Sequence, residues 1–169
     1  MNAFLWLLII AVLVNAILVG ASLDQSIKQL PARHRIGVVA YSEYSKAADL
    51  ANGVLWYGVL GIGGALITLA AAVVGLLNRP GDGVAVLLWL VIVGTFAHSF
   101  TTTRAAPTNF SQRSAAGDQS RLTVIFDQFV RWQTVRVLLQ ITTLLLVVWV
   151  LVAQLQLMAA SELSINFNV

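Results

Sequence analysis

Hydrophobic residues in this chain come in four long runs, at residues 3–23, 53–77, 84–100 and 137–155. Each is long enough, or nearly so, to cross a hydrocarbon layer about 30 Å thick, which takes roughly 20 helical residues. Polar residues collect between the runs and at their ends. The pattern predicts an all-α membrane protein, a four-transmembrane-helix bundle forming a single domain over residues 1–169. The first run lacks a basic leader and a small-x-small cleavage site, and its apolar part is long for a signal peptide. It is therefore expected to be a retained helix.

The few polar residues inside the runs are spaced informatively. Asn15 sits at mid-depth of the first helix and is expected to bond across to a neighbour. Gln133, Arg136, Gln140 and Thr143 recur at spacings of three, four and three, so on a helix they form one stripe at the head of the last run. Arg136 lies near the start of that run and has two readings. Its stem snorkels to the headgroups, or it faces the bundle and pairs with Asp49 or Asp127. Gln140, a turn deeper on the same face, cannot snorkel and favours the second.

Between the runs, residues 24–52 form a mixed-charge loop in which Pro31 is expected to break the helix. Within it GVVAYSEYSKAADL predicts a short interfacial helix with Val38, Tyr41, Tyr44 and Ala48 on its apolar side. The second helix is rich in small residues, and Gly61, Ala65, Thr68 and Ala72 make a near-continuous face expected to be the bundle's tight contact. NRPGDG at 78–83 ends it sharply. Pro107 is expected to stop the third helix, and a loop follows to about residue 121. Asp118 is a candidate N-cap. After it Leu122, Ile125, Phe126, Phe129 and Val130 repeat at helical spacing with no breaker before the last span. This predicts one long helix over about 119–158 that extends out of the membrane into the cytoplasm, followed by a short frayed tail.

Composition agrees: 59% of residues are hydrophobic and 10% charged, where a soluble domain is about a quarter charged. Mean hydropathy is +0.85. The absence of cysteine excludes disulfides, thiolate metal sites and cysteine nucleophiles. Lysines and arginines set the orientation. All except Arg79 lie in the first and third loops or the adjoining helix ends. The positive-inside rule then predicts an inner (plasma) membrane protein with both long loops in the cytoplasm and both termini outside it. The charge does not point to nucleic acid.

This topology gathers the polar cargo at one membrane face: Ser22 and Asp24; Asp49, Asn52, Trp56 and Tyr57; His98, Thr102, Arg104 and Asn109; and Asp127, Arg131, Gln133, Arg136 and Gln140. The opposite face offers little beyond Asn78, Arg79, Asp82 and Glu162. The expected site is a cytoplasm-facing polar pocket, with Asn52, Trp56, Tyr57, Asn109, Gln133 and Gln140 as candidate ligand-binding residues. His98 and Arg136 are the candidate catalytic residues. His98 reads first as a hydrogen-bonded helix-end residue and second as a base. The aromatics Tyr41, Tyr44, Trp56, Tyr57 and Trp132 read first as interfacial and second as a wall for a flat ligand. No metal site is predicted, because no His/Asp/Glu cluster has ligand spacing. A bis-histidine haem would need a second axial ligand, and His34 is in a loop; no cofactor is expected. Phosphate-binding loops, GxSxG and HExxH are absent.

Several short motifs occur together: SLDQ…LPAR after the first helix, YSEYSKAADL before the second, APTN after the third, and an F-x-x-x-Q-x-x-R entry to the fourth. In these the chain resembles the anthrone-oxygenase-like family of small four-helix membrane proteins, a domain-of-unknown-function family. Pro107 and Asn109 match the family's P-x-N, and Arg136 matches its arginine at the head of the last helix. Members often carry a histidine three residues before that arginine and a tryptophan four before the histidine; Gln133 and Phe129 stand there instead. The resemblance implies cofactor-independent oxidation of a polycyclic phenolic ketone by dioxygen. Arg136, Asn109 and Gln133 would stabilise an oxyanion, and His98 would be the base if it faces the cavity. The alternative expectation is a non-enzymatic accessory subunit of a larger membrane complex, docked through the small-residue face.

Overall fold

The computed structural model describes residues 3–78 and 80–166, the side chains of 162–166 apart. Arg79, the Glu162 side chain and residues 167–169 lie outside what is described; the rest of the tail expected to fray, 161–166, continues the last helix. Four helical rods account for the described chain: α1 (Ala3–Ile36), α2 (Val38–Leu77), α3 (Asp82–Ala115) and α4 (Gln119–Asn166). All four are long and apolar enough to cross a membrane. They form a ring in which α1 packs on α2 and α4, and α3 packs on the other side of both.

The inward face of α1 is Phe4, Leu8, Ala11, Asn15, Leu18, Ser22 and Gln25, a three–four repeat. Its outward face, Trp6, Ile10, Leu13 and Ile17, is exposed and just as apolar. A helix apolar all round needs an apolar surrounding. Towards the termini the bundle is filled by Phe4, Leu8, Ala71, Ala72, Leu88, Val91, Val147 and Val150. A second apolar cluster lies at the loop end, from Leu30, Tyr41, Ala105, Ala115, Leu122, Phe126 and Phe129. Polar side chains are buried between the two.

Both expected proline breaks are absent. Pro31 opens a helical turn directly after a wide π-type turn at Gln25–Gln29. The extra residue in that turn relieves the clash a proline ring makes with the carbonyl four residues back. The rod ends instead at Gly37, whose φ of +86° suits glycine. Pro107 sits within α3, which runs on to Phe110 and then tightens into a 3-10 turn at Ser111–Ala115. Thr101 and Thr102 donate to the His98 carbonyl, Thr103 to that of Phe100 and Thr108 to that of Arg104. These are bonds within the helix, and none of them reaches the Thr103 carbonyl that would otherwise accept from residue 107.

The expected interfacial helix exists as Val38–Ala47, set off by a kink at Ala51. Its inward side differs from the one expected. Tyr41, Ser42 and Ser45 are buried, whereas Tyr44 is exposed. Tyr41 stacks edge-on against Phe126 with ring centroids 5.0 Å apart, so the segment docks on the head of α4. There Asp118 is the N-cap: its Oδ1 accepts the Arg121 backbone N–H at 3.0 Å. That bond, with help from the Ser120 hydroxyl, holds the carboxyl below its ordinary range. As expected, α4 then runs without a break into the last apolar run.

Asn15 bridges as anticipated. Its amide donates to Thr68 Oγ1 at 2.7 Å and to the Ala11 carbonyl at 2.8 Å. The tight face of α2 is rotated from the expected one. Gly64, Thr68, Ala71, Ala72 and Gly75 are buried, while Ala65 is half-buried and a Cβ on Gly61 would meet nothing within 4 Å. A second wide turn, Val59–Gly63, lies between. One extra residue turns the following helix by about 100° relative to an unbroken pattern.

Candidate functional site

The stripe on α4 faces inward. Gln133 and Thr143 are 0% exposed, Gln140 3% and Arg136 9%. Spacing alone accounts for this: three–four–three repeats stay on one face, and on α4 that face meets α1 and α3. On α1 the same spacing brings Asn15, Leu18, Ser22 and Gln25 inward.

Where these stripes meet the upper half of α2 there is a cavity of about 250 Å³. Its polar wall comprises Gln25, Asp49, Tyr57, Asn109, Arg136 and Gln140. Leu18, Leu50, Val54, Ile62, Phe110 and Phe129 supply apolar wall, and Gly53, Gly58 and Gly61 leave it open. Gly53 is held tightly, since a Cβ there would lie 2.7 Å from the Ala48 carbonyl oxygen across the kink.

Several of these polar groups are buried without partners. Arg136 Nε, Gln140 Oε1 and Gln25 Oε1 have no hydrogen bond, and the same holds for Ser22 Oγ and Gln133 Oε1 just behind the wall. Leaving a buried polar group unpaired costs about 1–3 kcal/mol, more for a charged one. Such a concentration marks a place built around something polar.

Arg136 makes neither ion pair expected of it. Asp127 is paired with Arg33, at 3.1 Å. Asp49 accepts the Ser45 hydroxyl at 2.8 Å, and Gln25 lies against its carboxylate. Arg136 and Asp49 both line the cavity, yet no described carboxylate stands within ion-pair distance of the guanidinium. The snorkelling reading fails too, because the side chain is buried. Arg136 is a buried cation aimed at open space.

Behind Asp49 runs a satisfied network. Gln112 donates to Ser45 Oγ at 3.2 Å and to Asn109 Oδ1 at 2.8 Å, and accepts from Ser42 Oγ at 3.0 Å. Arg113 donates to the Leu50 carbonyl at 2.8 Å. This network ties the kink of α2 to the end of α3 and fixes Asp49 and Asn109 on opposite sides of Gln112. With the second apolar cluster it packs the loop side of the cavity, where Phe129 belongs to both.

Of the residues chosen from sequence, Tyr57, Asn109, Gln140 and Arg136 line the cavity. The others do not. Asn52 and Trp56 are exposed on the outer side of α2, because the kink turns the start of this helix. Gln133 is fully buried and donates to the Ser22 carbonyl at 3.3 Å, one turn towards the loops from the cavity wall. His98 is buried at 3% exposure and is not among the lining residues. Gln25 and Gln112 were missed. The Asn15–Ser22–Gln25 stripe on α1 was a readable signal for the first. Gln112 reads as a loop residue in the sequence, because Pro107 is expected to end α3.

No protein-family model matches the sequence. Comparison with curated proteins and with solved structures gives no match either.

Proposed function

We propose that this chain is a multi-pass inner-membrane protein whose buried cavity binds a small lipid-soluble ligand with a polar edge. Both long loops lie in the cytoplasm and both termini outside, as the placement of basic residues favours. The observation that carries the binding reading is the unpartnered, nine-tenths-buried Arg136, which shares the cavity wall with the unpartnered Gln140 and Gln25 oxygens. An apolar wall with a few convergent polar groups is the ordinary make-up of a ligand site.

A cofactor-independent oxygenase of anthrone-type ketones is the enzymatic form of this proposal. It is favoured by Asn109 and Arg136, the two polar residues that carry the family resemblance, both lining the cavity. In that reaction a ring CH2 loses a proton to a base and the carbanion is oxidised by dioxygen. The CH2 becomes C=O, and the second oxygen atom leaves as water. Arg136 would hold the ketone oxygen as it gains charge. Asp49 replaces His98 as the base, since its carboxylate is on the wall and the imidazole is not. The accessory-subunit alternative keeps only part of its docking face, because Thr68 and Ala72 are buried in the bundle while Gly61 and Ala65 are not.

The test uses purified protein in detergent with anthrone. Saturable binding that Arg136→Ala abolishes supports the site. Quinone formation above the spontaneous rate, lost in Arg136→Ala and Asp49→Asn, supports the oxygenase. Binding without turnover leaves a binding protein, and no binding rejects the reading.

A further inference from the structure

The cavity has a gap at its side, between α2 and α3. α2 packs on α3 along residues 64–77 and stands off it over 53–63. The mouth left between them is rimmed by Val54, Ile62 and Phe110, which are 44%, 67% and 40% exposed. This flank is continuous with the outward apolar side chains Leu55, Val59 and Leu66, so it belongs to the surface that four apolar helices turn to their surroundings. At the inner wall stand Arg136 and Gln140. The sequence from mouth to floor is therefore apolar, then polar. A cavity of about 250 Å³ is small for a whole lipid and ample for a head group.

Resting on the ligand-binding reading above, we infer that the occupant is a single-chain lipid that enters sideways between α2 and α3. Its head carries a carbonyl oxygen and a hydroxyl, and its acyl tail trails past Ile62 into the hydrocarbon. The carbonyl oxygen accepts from the Arg136 guanidinium, and the hydroxyl donates to the side-chain oxygen of Gln140 or Gln25. All three side chains line the cavity, and each carries a buried atom without a partner. A protonated fatty acid and a monoacylglycerol both present this head. Gly58 and Gly61 keep the mouth clear, since a Cβ at either would meet nothing within 4 Å.

The experiment places the full chain in nanodiscs and adds radiolabelled palmitic acid or monopalmitoylglycerol, with four-carbon analogues of each as tailless controls. At least one long-chain probe should bind saturably near one per chain. Arg136→Gln should weaken it tenfold or more, and Arg136→Lys should restore part of the loss. Gly61→Phe, which plugs the mouth and has space to fold, should cut binding at least tenfold with its melting temperature kept. The tailless analogues should bind far more weakly. The two long probes separate an acid head from a neutral one. Tailless analogues that bind as well as long ones, with Gly61→Phe silent, would overturn lateral entry and leave the cavity a ligand site. Anthrone binding with no binding of either acyl lipid would overturn the lipid assignment alone. Loss of all Arg136-dependent binding would remove both proposals.

Discussion

Replacing Gly94 by alanine would place a methyl carbon 2.5 Å from Thr143 Oγ1, where α3 packs on α4. That is well inside contact distance. Thr143 cannot swing away freely, because it is fully buried and its hydroxyl donates to the Leu139 carbonyl at 2.9 Å. Overpacking of this kind costs about 1–3 kcal/mol. The next nearest atoms are Thr143 Cβ and Cα, at 3.6 and 3.9 Å, which is ordinary contact. The whole penalty therefore hangs on one atom. Thr143→Ala removes it and should rescue Gly94→Ala. Thr143→Val keeps a branch on Cβ and should not. Thr143→Ala alone deletes a hydroxyl that bonds only within its own helix and should cost about 1 kcal/mol.

Unfolding in a detergent-to-SDS titration, followed by tryptophan fluorescence, gives the four corners of the cycle. The expected coupling between positions 94 and 143 is about 1–2 kcal/mol in favour of the double alanine variant. A Gly94→Ala variant as stable as the parent would refute the reasoning, as would equal rescue by alanine and valine. Either result would mean that the stripe carrying Arg136 and Gln140 does not meet α3 at this register, and the inward aim of both residues would fall with it.

Two further perturbations probe the head of the bundle. Tyr41→Ala empties a fully buried position against Phe126 and should cost about 3–5 kcal/mol on the scale of buried aromatics, read in the same titration and as faster proteolysis within residues 24–50. Asp118→Ala should fray the start of α4, seen as faster amide exchange at residues 119–123. Because this carboxyl titrates below its ordinary value, its contribution is complete at neutral pH and is lost as pH falls through the lowered value. The alanine variant should lack that acid-dependent step.

The helices were legible because apolar runs and three–four spacing are properties of the sequence itself. Inward burial of Gln133, Arg136, Gln140 and Thr143 followed from the same arithmetic. Arg136's lack of a partner did not, because pairing depends on where Asp127 and Asp49 are drawn by third residues. Arg33 takes the first and Ser45 engages the second. The proline errors share one cause. Local rules treat Pro31 and Pro107 as stops, whereas the helix continues through both, after a widened turn at the first. That mistake carried Gln112 into a loop and hid the network behind Asp49.

The wide turns at Gln25–Gln29, Ala48–Asn52 and Val59–Gly63 also explain why there is a cavity at all. A straight α2 would keep one face on α3 throughout its length and close the bundle. The turn at 59–63 re-phases the helix, so its small residues seal the lower half while its upper half stands away. The kink at 48–52 then brings Asp49 back over the gap. Each wide turn departs from the regular backbone of a buried helix. All three lie at the cavity or directly beside it, and the long straight helix α4 supplies the rigid wall against which the gap is measured. Irregular backbone around one space, facing unpaired polar groups, is how a small bundle keeps an internal volume that its own packing would otherwise fill.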